Sequence, residues 1–176
     1  EVVLRRLADD FGVDVNAGRP QVVYRESVSA EASHREIFER EIDGKPQRGE
    51  VSLRISPRER GAGIEIVLPS PDTAGLSTEI LEALDETLQM ATQAGVQIGY
   101  PMVDLSIFVE QVPVTPGVTT ALGVRAAGQR GLIQAVRVAK PILLEPVMAL
   151  EITSPNEFSG KVLGGLQKKH GRVEGM

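Results

Sequence analysis

The sequence has no cysteine at all and only two histidines, His34 and His170, in 176 residues. Without cysteine there is no disulfide framework, no thiolate metal site and no cysteine nucleophile. The two histidines stand far apart and outside any HExxH-like spacing, so no transition-metal site is expected. Both lie in polar stretches, which argues against a Ser/His/Asp triad as well. Aromatics make up 3% (Phe11, Tyr24, Phe38, Tyr100, Phe108 and Phe158), too few for a surface that stacks single-stranded bases. Long apolar runs are missing too. The most apolar stretch, 142–152, is broken by Glu145, Pro146 and Glu151, far short of a membrane span. No GxxxxGK[ST] phosphate loop occurs: Gly160-Lys161 lacks the upstream glycine, and Gly123 to Gly128 is followed by Gln129-Arg130.

Positive charge is absent from the middle of the chain. Between Arg60 and Arg125 there is no Lys or Arg, while Glu65, Asp72, Glu79, Glu82, Asp85, Glu86, Asp104 and Glu110 all fall there. Residues 1–119 hold 11 basic and 20 acidic groups, a balance of −9; residues 120–176 hold 8 and 4, a balance of +4. Phosphate binding draws its affinity from Lys and Arg. The middle stretch is therefore not a general RNA-binding face, and any RNA contact is expected from residues 35–60 or from the C-terminal third.

What the sequence does have is 41% hydrophobic residues, enough for a real core, in a length that suits one domain plus pieces of its neighbours. Residues 1–11 place apolar groups at 3, 4, 7 and 11, a helical stripe closed by Gly12, and the chain opens inside that stripe. A strand is expected over 21–28, with Ala30 to Ser33 as a joint. Short strands follow at 36–42, 50–56 and 64–68, the second alternating strictly with Val51, Leu53 and Ile55 on one face. The turn-like segments Asp43 to Gly49 and Pro57 to Gly63 join them, and three strands in a row imply an antiparallel meander. A helix over Ser77 to Ala94 buries Ile80, Leu81, Leu84, Leu88 and Ala91. A strand over 101–109, a Pro-rich loop and a helix over 119–139 come next, and Pro141 ends that helix. Strand 147–153, helix 156–169 and a strand from Arg172 complete the pattern.

Two patches resemble the elongation factor G family. One is Gln93-Ala-Gly-Val-Gln-Ile-Gly99-Tyr100-Pro101-Met-Val103-Asp104, similar to a helix end and GYPxVD strand of that family's fourth domain. The other runs from Ile142-Leu-Leu-Glu145-Pro146 through Gly160-Lys-Val-Leu-Gly164 to Gly171-Arg172-Val-Glu-Gly175-Met176, similar to the LLEP hinge and the start of the fifth domain. Upstream, Asp10 to Asp14 and Gly18 to Glu26 resemble the exit from the third domain. The resemblance implies an α+β fold: a ribosomal protein S5 domain 2-like domain, with a mixed sheet and two long helices, followed by the first part of a ferredoxin-like domain. It divides the chain into 1–28 (end of the third domain and linking strand), 29–145 (fourth domain) and 146–176 (truncated start of the fifth). The resemblance marks Gly99, Tyr100, Pro101, Asp104, Glu145 and Pro146 as family-signature positions; by residue type Gly99 reads as a turn glycine, Tyr100 as a core or rim aromatic, Pro101 as a strand-entry residue and Glu145-Pro146 as fixing the hinge.

The function implied is a tRNA-mimicking, ribosome-inserting segment of a cytoplasmic translation GTPase acting in translocation. The segment itself is expected to be non-enzymatic and to hold no metal or cofactor, with GTP and Mg bound by a missing N-terminal domain. Its expected partners are the ribosome, through ribosomal RNA at the decoding site, and other domains of the same protein, with no membrane and no DNA. In this family two tip loops reach the decoding centre. The first typically carries a GGRGQYG-like pattern and the second a histidine in a GSYHEVDSS-like stretch. Here they read Asp43-Gly-Lys-Pro-Gln-Arg-Gly49 and Val112-Pro-Val-Thr-Pro-Gly-Val-Thr119. The RNA-contacting candidates are accordingly Gly44, Lys45, Gln47, Arg48 and Gly49 in the first, and Thr115 and Gly117 in the second. Loss of both motifs points to a divergent paralogue, with ribosome protection as the rival role within the family. From other classes come a small-molecule enzyme of S5-like fold, for which the glycine-rich phosphate loop is missing, and a protein-interaction module using the acidic helix.

Overall fold

The computed structural model describes residues 9–12, 22–70 and 76–175. Asp9 to Phe11 are helical. The remainder of the first expected helix, residues 1–8, and Gln21 of the first expected strand lie outside the described residues. The chain divides into two compact units between Pro146 and Val147, each taken by itself below.

In the first unit the elements are β1 (Arg25–Val28), β2 (Ala32–Ile42), β3 (Lys45–Pro57), β4 (Ile64–Val67), α1 (Thr78–Ala94), β5 (Leu105–Gln111), α2 (Ala121–Val138) and β6 (Pro141–Leu144). One sheet has the order β2-β3-β5-β4, and β1 pairs with β6 in a second. The β2–β3 and β3–β5 pairs are antiparallel, whereas β4 runs parallel to β5. The expected meander is thus corrected, because β5 occupies the place beside β3 that a meander gives to β4. A parallel pair needs a crossover, and α1 supplies it between β4 and β5. This mixed sheet with two long helices is the α+β, S5 domain 2-like arrangement.

Period-two alternation sends Val51, Leu53 and Ile55 of β3 and Leu105, Ile107 and Val109 of β5 into the core. There they meet Ile80, Leu84 and Leu88 of α1 and Val124, Ala127, Leu132 and Ala135 of α2, all buried. The intervening strand residues face the other way and pair their charges. Arg35 donates to Glu50 at 2.7 Å and Arg54 to Glu110 at 2.9 Å, with the Arg54 guanidinium 4.2 Å over the Phe108 ring. Both long helices start on a hydroxyl cap: Ser77 Oγ accepts from Ile80 N at 3.4 Å and Thr120 Oγ1 from Gly123 N at 3.1 Å.

Several boundaries differ from expectation: β1 begins at Arg25 and β3 at Lys45, and three further differences concern the joints. Ala32 and Ser33 are not a joint but the start of β2, paired with Ile55 and Arg54. The strand expected from Pro101 begins only at Leu105, because Asp104 has φ 56° and a left-handed residue cannot continue a pleat. Met102 makes one isolated bridge to Glu26. Pro141–Leu144, which lead into the Glu145-Pro146 hinge, form a strand in register with β1 from Val28↔Pro141 to Arg25↔Leu144.

The second unit holds a 3₁₀ turn, Asn156–Phe158, and α3 (Ser159–Lys168), where a helix is expected. The strands expected over 147–153 and from Arg172 are not formed among the described residues. A strand exists only as a pairing. No described segment offers these residues a ladder partner, and Val147 is 98% exposed.

Candidate functional site

The first candidate loop is much shorter than its sequence suggests. Asp43 (φ 51°) and Gly44 (φ 73°) form a two-residue turn, the left-handed pair that an Asp-Gly hairpin favours. The β2–β3 ladder runs without a break up to Ile42↔Lys45, so Lys45, Gln47, Arg48 and Gly49 are strand residues rather than loop residues. Lys45 and Gly44 are exposed, Gln47 and Arg48 half-buried, and Gly49 buried. Arg48 Nη1 stands 3.8 Å from Glu39 Oε2, a solvent-exposed pair that restrains the guanidinium little.

The second loop is a compact turn leading into α2. The N–H groups of Val118 and Thr119 both donate to the Thr115 carbonyl, at 3.0 and 2.9 Å. Thr115 N in turn donates to Thr119 Oγ1 at 2.9 Å. Thr115 has both backbone groups bonded within the turn, and Thr115 and Gly117 are exposed.

The sheet topology brings these two segments to one end. β3 runs antiparallel to β5, so the turn before β3 and the loop after β5 lie at the same edge of the sheet. Backbone contact then joins them: Thr120 N donates to the Arg48 carbonyl at 2.9 Å, and Arg48 and Thr119 form an isolated parallel bridge. Gly49 and Gly123 cross at this point with main chain against main chain. A Cβ on Gly49 would overlap the backbone of Gly123 and Val124, and one on Gly123 would overlap that of Arg48. Lys45 and Gly44 stand farther out, Lys45 roughly 10 Å beyond Arg48 at the usual strand rise.

The signature residues gather elsewhere, around the start of β5 and the linking strands. Asp104 is 7% exposed, and its carboxylate accepts from Gly61 N at 3.1 Å and Gly63 N at 2.9 Å. Tyr100 packs against Tyr24 with ring centroids 5.4 Å apart, and the Pro101 carbonyl accepts from Glu26 N at 3.0 Å. Glu145 and Pro146, just past β6, are exposed.

Sequence reasoning gave Glu26 no role of its own. It is 1% exposed, and its carboxylate accepts five backbone N–H groups: Val96 (2.6 Å), Gln97 (2.8 Å), Ile98 (2.7 Å), Gly99 (2.9 Å) and Tyr100 (3.2 Å). Burial pushes its pKa up, but the N–H groups of Gln97, Val96, Ile98 and Gly99 together outweigh burial and hold it below the usual carboxylate value. The signal available in the sequence was the loop between Gly95 and Gly99, whose successive N–H groups need an acceptor.

Among the described residues no group of His, Asp and Glu is arranged to hold a metal ion, and no helix is long and apolar enough to cross a membrane.

Comparison with known proteins gives matches over almost the whole chain. Residues 20–140 match the family model "Elongation factor G, domain IV", and residues 142–176 match "Elongation factor G C-terminus". The chain is 51% identical over 176 residues to Elongation factor G 2 of Geobacter metallireducens, and 51% identical to Elongation factor G 1 of Geobacter sulfurreducens. It is 34% identical over 174 residues to Elongation factor G 2 of Syntrophus aciditrophicus. In each case it covers 99–100% of itself but 26% of the relative, so it spans about a quarter of the length of these proteins. A crystal structure of a Thermus thermophilus protein, ttk003000868, superposes with a TM-score of 0.78 at 28% identity, over 99% of this chain and 26% of that one.

Proposed function

The chain belongs to the elongation factor G family, and from that membership we propose that it is the part of a translation factor that inserts into the ribosomal decoding site during translocation. The carrying observation is the convergence of Lys45, Arg48, Thr115 and Gly117 at one end of the four-stranded sheet. The protruding hairpin is narrow and two strands wide, and its cations are the ones available there for phosphate. The segment's own contribution is steric and electrostatic. GTP hydrolysis, with Mg, falls to a domain outside these residues, and the protein works in the cytoplasm, where ribosomes are.

In this reading residues 1–28 are the end of a third domain with its linking strand, 29–145 the fourth domain and 146–176 the start of the fifth. The two family matches, meeting between residues 140 and 142, and the division after Pro146 support a boundary between the last two parts near Glu145, while the fourth-domain match begins at residue 20, before the end of the first part. Ribosome protection is kept as a second reading for one reason: the tip carries Asp43-Gly44-Lys45 and a Thr-Pro turn in place of the family's glycine-rich and histidine-bearing patterns.

The test is directed cleavage. Val114 is partly exposed in the second loop, and the chain has no native cysteine, so a Val114→Cys variant of the full-length protein carries an iron chelate at one known place within this segment. Hydroxyl radicals generated on the ribosome-bound protein should cut small-subunit RNA at the decoding site. Cleavage confined to other sites would overturn the proposal.

A further inference from the structure

We infer that Gly49 and Gly123 are positioning residues that hold the hairpin tip and the second loop as one rigid unit, an inference that rests on the ribosome-inserting role above. The ladder between β3 and β5 ends at Ser52↔Gln111, with an irregularity between Ser52 and Leu53. From there outward β3 pairs on one side with β2 alone, down to Lys45. Phe38 of this projecting hairpin packs into the core beneath Arg130 of α2, and among the described residues the free edge of β3 there has one backbone tie to the rest of the domain, Arg48 against Thr119 and Thr120. That tie forms because two glycines let the strand and the first turn of α2 approach at backbone distance. The obstruction met by a Cβ on either glycine is main chain, not the movable end of a side chain. Alanine at either position must therefore push the hairpin away from α2 and break the Thr120 N to Arg48 O bond. Because Gly44 and Lys45 stand at the far end of the hairpin, a small shift at the crossing becomes a larger displacement where contact is made.

A group that only positions others shows itself by separating two readouts. Gly123→Ala, made in the full-length protein and outside the candidate RNA contacts, should bind ribosomes and hydrolyse GTP on them within about twofold of the parent, while single-turnover translocation slows by about tenfold or more, and Gly49→Ala should slow translocation likewise. Translocation at the parental rate overturns the inference. A third variant keeps this distinct from failure of the functional reading. Deleting the Ile42 and Lys45 pair shortens the hairpin while keeping the Asp43-Gly44 turn. If the shortened protein and both alanine variants all translocate normally, the insertion role itself fails; a slow shortened protein beside a fully active Gly49→Ala overturns the positioning role alone.

If either alanine variant does not fold, the same question is put to an Arg48→Cys, Thr119→Cys protein, whose paired positions are neighbours across the isolated bridge. Locking the two loops by oxidation should leave translocation within about twofold of the same protein reduced. A slowdown that reduction reverses would mean that the loops must separate to work, and would overturn the rigid unit.

Discussion

Glu26 Oε1 accepts the N–H of Ile98 at 2.7 Å although 72 residues separate them in the chain, and the same carboxylate closes the whole turn from Val96 to Tyr100. Glu26 lies in β1, whose partner β6, Pro141–Leu144, leads into the Glu145-Pro146 hinge. One buried anion therefore ties the linking strands to the C-terminal end of α1. Glu26→Gln keeps the shape but replaces one acceptor oxygen with a donor that faces donors. It should cost about 2–3 kcal/mol, read as a lower urea midpoint.

The pH dependence of that site follows from the direction of its shift. The folded pKa is lowered, so the unfolded chain takes up the proton first as acid is added. The stabilisation is fully present above the ordinary carboxylate value and is lost as pH falls through the folded value. Chemical denaturation from pH 7 downward should show the parent losing its advantage over Glu26→Gln in that acid range. An advantage independent of pH would mean the carboxylate contributes only by packing.

Asp104 combines a positive φ with two accepted backbone N–H bonds, so substitutions there separate the two contributions. Asparagine tolerates the left-handed backbone and keeps one acceptor, and should cost about 1 kcal/mol. Alanine loses both acceptors and strains the backbone, and should cost about 3 kcal/mol. Equal losses for the two variants would remove the backbone term from this account.

The residues that identify the family and those that shape the tip differed in how legible they were. Strict alternation in 50–56 and the 77–94 stripe gave the core correctly, because burial of one face leaves a periodic record. Pairing leaves no such record. Nothing local in Ile64–Val67 says that its neighbour is β5, about forty residues away, instead of β3. The first tip loop was misjudged because Lys45-Pro46-Gln47-Arg48-Gly49 has turn-like composition, while Asp43-Gly44 alone suffices to reverse the chain. By sequence Gly49 is a candidate RNA contact in the first tip loop and Gly123 a glycine within a helix, since a contact across seventy-odd residues is visible only once the strand and helix are in place.

Helix α1 carries Glu79, Glu82 and Glu86, and among the described residues only Glu86 forms an ion pair, with Arg125 at 2.9 Å, in an exposed setting. Acids at short range repel phosphate. This helix is therefore expected to face away from ribosomal RNA, and changing all three residues to Gln should leave ribosome affinity of the full-length protein within a few-fold. A loss of about tenfold would mean that the helix docks on a basic ribosomal protein.

Lys45 and Arg48 give the most direct test of what the tip touches. They are the cations of the two candidate segments, one exposed near the turn and one half-buried at the crossing, where its carbonyl is already engaged by Thr120 N. Replacing the two side chains with Ala removes charge without removing that backbone bond, so the hairpin should keep its register. Contacts to phosphate release counterions, and each one lost should lower the salt slope of ribosome binding by about one unit, up to about two for the pair. Affinity at low salt should fall more than affinity at high salt, because screening already weakens the contacts there. A uniform loss at every salt concentration would instead indicate a disturbed fold, which the urea midpoint would report. If the variant binds and translocates like the parent throughout, Lys45 and Arg48 make no charge contact with RNA, and Arg40, exposed opposite Gln47, is the cation left on the hairpin. The reverse change asks whether the missing tip patterns limit the rate: a first loop of GGRGQYG-like pattern grafted together with a histidine-bearing second loop should raise the translocation rate. An unchanged rate would mean that those patterns are not what limits translocation.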